Sequence, residues 1–318
     1  MRALILVGLL ILACGGNVDN PGTLTGNGGN SGGVNSSTGG FTGAGGECIC
    51  DFKPDTGGTT SEGGHQATGC TGSFELIQST TGLCVAKMAT MSAPSGYSDY
   101  QIDVTEVTRG QYDAWLATNP ALPVSTDVNC GYAASYAEQG TGYVGKDADH
   151  HPVVYVDWCD AYEYCLGVGK RLCGAIGGGP LTNSWGFDDA IQSQWYRACS
   201  SGGTNMYPYG NIYQASYCDG IDDWIYNNST LQTVVAGSLT NCVASITGFA
   251  GVYDLSGNVW EWEDSCNATG QSTSCLIRGG CFGGGDSVLT CSYNFGGFLR
   301  DGERRDTQVW RATATTAR

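Results

Sequence analysis

An α+β domain with much irregular backbone, stapled by disulfides, is the fold this sequence predicts, and three observations lead there. Cys occurs 16 times in 318 residues, which in a reducing compartment would leave many reactive thiols and in an oxidising one reads as a disulfide framework. No CxxC pair occurs, so the usual spacing of a structural zinc site is missing. Gly occurs 51 times, more than packed regular structure uses, so part of the chain lies outside any core. Only a few short segments carry a clear strand or helix period.

Those segments come early in the folded region. Tyr100 to Val107 reads YQIDVTEV, an alternation that predicts a half-buried strand. The next residues, Thr108 to Leu116, place Val107, Tyr112, Trp115 and Leu116 near helical spacing, so strand runs into helix. Asp157 to Leu166 predicts a second short helix, ended by Gly167 and Gly169. Cys159 and Cys165 fall about 120° apart around its axis, given the helical repeat, so each needs a remote partner. From Gly174 onward Gly, Asn, Ser and Trp dominate, and short strands at best are expected.

Charge excludes some functions. Thirty acidic against 14 basic residues give −16, and no Lys/Arg cluster exists to displace counterions from phosphates, so no nucleic-acid partner is expected. A basic face for anionic lipid is absent for the same reason. The chain's start supplies another route to a membrane. Met1-Arg2-Ala3 is a minimal basic region, Leu4 to Leu12 an apolar run too short to span a bilayer, and Ile11-Leu12-Ala13-Cys14 resembles a bacterial lipobox. Residues 1–13 then form a signal peptide, and Cys14 carries the lipid, placing the protein in the bacterial cell envelope, at the outer membrane or cell surface. Plain secretion with cleavage after a small residue stays open. With Cys14 acylated, the remaining Cys are odd in number, so at least one thiol is unpaired or bridges to another molecule. Residues 14–69 are a Gly/Ser/Asn-rich tether without the apolar surface to fold. Within it, Cys48 and Cys50 are expected to reach Cys70, Cys84 or later cysteines. The folded domain spans 70–318.

Several segments of that domain, in order, resemble one family. They are Ile102 to Thr108 (IDVTEVT), His151 to Trp158 (HPVVYVDW) with Ala161, Tyr162, Tyr164 and Cys165, then Gly169-Lys170-Arg171-Leu172 and Tyr207-Pro208-Tyr209-Gly210. Gly251 to Trp262 (GVYDLSGNVWEW), Arg278-Gly279-Gly280 with Cys281-Phe282, and Trp310-Arg311-Ala312 follow. Together they are similar to the formylglycine-generating enzyme, or sulfatase-modifying factor, family. The resemblance implies a C-type-lectin-like α+β fold. It also implies an oxidase that converts a sulfatase Cys to formylglycine, using oxygen and a copper ion held by two thiolates, soft ligands suited to Cu(I). Counted from Cys281, the two copper positions are Gly284 and Leu289, so the pair is out of register; Cys291 is the next thiol. A second departure is the Gly-rich insertion after Cys173, before Gln194-Trp195-Tyr196-Arg197-Ala198. The resemblance further implies calcium at the GNVWEW loop, through Asp254, the carbonyls of Gly257 and Val259, and Glu261.

Other chemistry is poorly provided for. Of three His, His65 lies in the tether, and His150 and His151 are adjacent in a loop, which suits neither a triad nor a multi-His iron site. Asp222, Asp223, Glu261, Glu263 and Asp264 read as solvated acidic loops, and Trp260, Trp262 and Tyr253 as core. Cys266 and Cys275 bracket a polar loop that a disulfide would close at modest entropic cost; Cys173 and Cys199 flank the insertion in the same way. Cys281 and Cys291 bracket a Gly-rich turn and are expected to bond each other. Three functions follow: a lipid-anchored protein whose domain serves binding or envelope structure, with a protein or carbohydrate ligand; a copper oxidase with Cys281 and Cys291 as a relocated thiol pair; and a lectin-like display scaffold.

Overall fold

The computed structural model describes residues 70–122, 130, 133, 135–138, 140, 142–182, 186–227, 231–267, 274–299, 308–310 and 312–314. Cys14 and the tether with Cys48 and Cys50 lie outside them. The described chain begins with a hairpin, β1 (Glu75–Ile77) on β2 (Cys84–Ala86), closed by a Cys70–Cys84 disulfide. Those two cysteines therefore bond each other and are not the partners of Cys48 and Cys50.

β3 (Met88–Met91) pairs with β4 (Tyr100–Asp103), and the YQIDVTEV stretch leaves the sheet after Asp103, staying buried as far as Thr108. Helix α1 (Arg109–Leu116) starts there because Thr108 caps it. The Thr108 hydroxyl accepts from the Gln111 amide at 3.3 Å and the Gln111 side chain accepts from the Thr108 amide at 3.2 Å, satisfying two end donors reciprocally. Helix α2 (Trp158–Gly167) repeats the device with Asp157 and Asp160, both bonds at 2.9 Å. Gly169, at φ +71°, then lets the Lys170 amide turn back to the Cys165 carbonyl. Tyr112 and Trp115 of α1 pack on Tyr164 of α2 and on Tyr136, with ring centroids 5.3 to 5.7 Å apart. Cys159 bonds a remote partner, Cys130, whereas Cys165, expected to do the same, is buried and not in a disulfide.

β5 (Arg171–Leu172) follows, then two helices that the sequence pattern did not disclose, α3 (Gln194–Cys199) and α4 (Ile221–Asn227). The remaining strands are short: β6 (Trp260–Trp262), β7 (Ser274–Arg278), β8 (Asn294–Leu299), β9 (Gln308–Trp310) and β10 (Ala312–Ala314). Two four-stranded sheets result, ordered β3-β4-β10-β5 and β8-β7-β6-β9. β10 inserts between β4 and β5 and so ties the end of the domain to its beginning. Lys170 does related work: its ammonium, buried, lies 2.6 Å from the Asp103 carboxylate and donates to the Ala86 carbonyl at 3.0 Å. Such a buried ion must be paired and hydrogen-bonded to be tolerated. Trp260 and Trp262 belong to the core that also holds both helices' aromatics. No helix among the described residues is long and apolar enough to cross a membrane.

Candidate functional site

The GNVWEW loop and the segment after Arg278 lie against each other. The Gly257 amide donates to the Gly279 carbonyl at 2.8 Å, and the Phe282 amide donates to the Asn258 carbonyl at 2.9 Å. The loop's path demands left-handed backbone at three positions: Asp254 (φ +56°), Gly257 (φ +78°) and Asn258 (φ +59°). At Gly257 a Cβ would stand 2.0 Å from the Asp219 carbonyl oxygen, so only glycine fits. The Asn258 side chain then spans the loop, donating to Glu106 at 3.1 Å and accepting from the Val234 amide at 3.0 Å.

Two carboxylates of this loop point inward. Asp254, 1% exposed, accepts from the Gly237 amide at 2.6 Å, and Glu261, fully buried, accepts from the indole of Trp195 at 2.7 Å. Two acids outside the loop are equally hidden: Glu263 is fully buried and accepts from Ser193 at 2.7 Å, and Asp223 of α4 is 3% exposed. Reading Glu261, Glu263 and Asp223 as a solvated acidic face is thus corrected; strand β6 turns Glu261 into the core and α4 turns Asp223 inward. Burial pushes the Glu263 carboxyl up and nearby Arg278 opposes it. Burial also drives the Asp219 carboxyl well above the usual range, aided by Asp223 and Asp254.

Helix α3 organises the other side. Ser193 caps it, accepting from the Tyr196 amide at 3.0 Å while donating to Glu263. Trp195 holds Glu261 by its indole N–H and lies 4.8 Å from the guanidinium of Arg278, which donates to the Cys291 carbonyl at 2.8 Å. Ser193 and Trp195 escaped sequence reading because the Gly-rich insertion before them hides the helix; a Ser ahead of QWYRAC was the available signal.

The cysteine pattern departs from expectation twice. Cys199 of α3 bonds Cys291, across 92 residues, so neither Cys173–Cys199 nor Cys281–Cys291 forms. Cys281 is disulfide-bonded as well. The sequence-based pairing assumed nearest neighbours along the chain; in the fold, Cys199 at the end of α3 meets Cys291. Cys266 bonds Cys275 and Cys218 bonds Cys242. Cys173 is buried in the same apolar cluster as Cys199, Trp195 and Ile102. Gly284 closes a turn onto the Cys281 carbonyl at 2.7 Å, and Leu289, 1% exposed, packs near Gly280 and Gly284. Copper does not fit these residues: both cysteines of the turn are oxidised, and the register positions offer hydrogen and hydrocarbon in place of sulfur. Of the expected calcium ligands, Asp254 accepts from the Gly237 amide and Glu261 from the Trp195 indole, and among the described residues neither belongs to a group of three acid, His or Cys side chains close enough to share one ion.

A model of the sulfatase-modifying factor enzyme 1-like domain matches residues 63–311. The chain belongs to the sulfatase-modifying factor family. Among similar members are the inactive C-alpha-formylglycine-generating enzyme 2 of Bos taurus, 29% identical over 147 residues (44% of this chain, 41% of that one), and the formylglycine-generating enzyme of Thermomonospora curvata, 29% over 131 residues (40% and 37%). This sulfatase-modifying factor chain spans less than half the length of those relatives. Among solved structures it is similar to PvdO from Pseudomonas aeruginosa (TM-score 0.47, 16% identity, 76% of this chain and 97% of that one) and Treponema denticola variable protein 1 (TM-score 0.46, 17%, 76% and 98%).

Proposed function

We propose that this chain is an exported, lipid-anchored protein of the bacterial envelope whose sulfatase-modifying-factor-like domain binds a partner or supports envelope structure and does not oxidise a substrate. The observation that carries this reading is the turn from Cys281 to Cys291, where both cysteines are in disulfides and the copper positions are Gly284 and Leu289. A thiolate clamp for Cu(I) needs two reduced sulfurs facing one ion. Inactive and active family members are similar to the chain at the same identity, 29%, so the site must decide.

The test is direct. Purified protein, offered copper, oxygen and a sulfatase-type Cys peptide, should bind no stoichiometric copper and form no aldehyde; aldehyde formation that disappears in Cys281→Ser would overturn the reading. For the anchor, the mature protein should partition into detergent and Cys14→Ala should not. Within the same reading Asp254, Gly257, Val259 and Glu261 hold calcium, which when bound would neutralise the buried carboxylates and cross-link the loop. Chelator should then lower the melting temperature, and calcium titration into the stripped protein should release or take up heat; a melt unchanged by chelator together with a titration without heat would sink the site.

A further inference from the structure

One exposed surface is used by nothing above. The segment from Met206 to Tyr217 gathers four tyrosines: Tyr207 and Tyr209 stack with centroids 5.4 Å apart, Tyr213 lies 5.6 Å from Tyr207, and Tyr217 meets Tyr209 edge-on at 5.0 Å. Tyr207 is buried, while Tyr209, Tyr213 and Tyr217 are half-buried and show solvent part of their surface. Two carboxylates rim the cluster. The Tyr207 hydroxyl donates to exposed Asp286 at 2.7 Å, and the Tyr213 hydroxyl donates to half-buried Asp222 at 2.9 Å. Burial and these bonds raise both phenols far above their ordinary value, and burial lifts Tyr209 to about 12, so the rings stay neutral.

The platform is held rigidly. Cys218–Cys242 and Cys199–Cys291 staple its two sides, the Cys291 amide donates to the Met206 carbonyl at 2.8 Å, and the Ile221 amide donates to the Gly284 carbonyl at 3.0 Å. Its charge is one-sided. Residues 200–227 and 279–299 contain Asp219, Asp222, Asp223 and Asp286, and no Lys, Arg or His.

We propose that this tyrosine platform docks the ammonium side chains of a lysine-bearing partner polypeptide. It rests on the binding reading given above. A phenol that donates its proton to a carboxylate leaves an electron-rich ring, and ring faces beside fixed carboxylates attract a cation through the ring quadrupole and the formal charge together. Metal ligation does not suit the rim: among the described residues neither Asp222 nor Asp286 belongs to a group of three ligating side chains close enough to hold an ion, and each already accepts a phenol. A neutral sugar would use none of the rim's formal charge, and a nucleic acid would meet like charge. Ile212, 74% exposed on the same loop, offers apolar contact to a lysine's hydrocarbon stem.

The experiment uses the full chain and a Cys-free peptide of alternating Lys and Ser, with binding read by fluorescence anisotropy at physiological salt. Binding is expected to weaken about tenfold when the lysines are acetylated, and by about as much in the double variant Asp222→Asn/Asp286→Asn. The single variant Asp286→Asn, at an exposed position, keeps the test valid if the double variant melts early. Asp147→Asn/Asp149→Asn removes the same charge from exposed positions elsewhere and should leave affinity unchanged. Equal binding of the acetylated peptide, equal loss in both double variants, competition by a neutral oligosaccharide, or free lysine amide binding as well as the peptide would each overturn the proposal. Absence of both aldehyde formation and peptide binding refutes this inference alone; aldehyde formation refutes the reading beneath it.

Discussion

The GNVWEW loop and the Cys281–Cys291 turn touch, yet they are held by different means. The loop is fixed by backbone: left-handed Asp254, Gly257 and Asn258, with amides committed to Gly279 and Asp219 carbonyls. The turn is fixed covalently, through Cys199–Cys291 and the disulfide of Cys281. The loop's acids accept hydrogen bonds from neighbouring segments, while the turn's sulfurs sit in disulfides. Loop and turn are joined by the Gly257–Gly279 and Phe282–Asn258 hydrogen bonds, so a change in one reaches the other only as far as those bonds carry it.

Breaking the covalent side should have the largest effect. Cys199→Ser with Cys291→Ser removes a cross-link over 92 residues and should cost about 4 kcal/mol by denaturant titration; Cys266→Ser with Cys275→Ser, separated by 9 residues, should cost less. Breaking the backbone side comes next. In Gly257→Ala the Cβ collides with the Asp219 carbonyl, and a loss of about 3 kcal/mol is expected, read by the same titration, without any change in disulfide content. Loss of disulfides in that variant would mean that loop and turn are not independently held.

Away from both, His151 supplies a pH control. It is buried, stacked on Tyr143 with centroids 3.8 Å apart, and shares a 2.9 Å hydrogen bond with Thr233; burial lowers its pKa to about 4. A base lowered on folding binds its proton first in the unfolded chain, so its contribution is full above about pH 6.5 and is lost as pH falls toward 4. His151→Gln should flatten that part of the stability profile. The smallest expected change is Thr108→Ala, about 1 kcal/mol by thermal melt, from the lost cap of α1.

The helices α1 and α2 were legible because their signals are local: the helical spacing of Val107, Tyr112, Trp115 and Leu116, and a short segment closed by Gly167 and Gly169; the capping pairs Thr108–Gln111 and Asp157–Asp160 emerged only with the structure. The family resemblance was legible too, since its motifs are runs of neighbouring residues. Cys266–Cys275 falls in the same class, a bond across a short loop.

Pairing over distance was not. Cys199 and Cys291 look alike to a reader of sequence, and only the packing of α3 against the Arg278 strand decides that they meet. The acids were misread for the same reason. Asp, Glu and Gly in loops carry no sign of which face they turn to, and the left-handed turn at Asn258 that buries Glu261 against Trp195 exists only once three segments have closed around it. Sequence by itself determined the family and the presence of helices α1 and α2; tertiary structure decided their caps, the disulfide partners, the burial of Glu261 and Glu263, and the acidic tyrosine platform. Local hydrogen bonds can be written into a few residues, whereas burial and long-range pairing are properties of the packed whole.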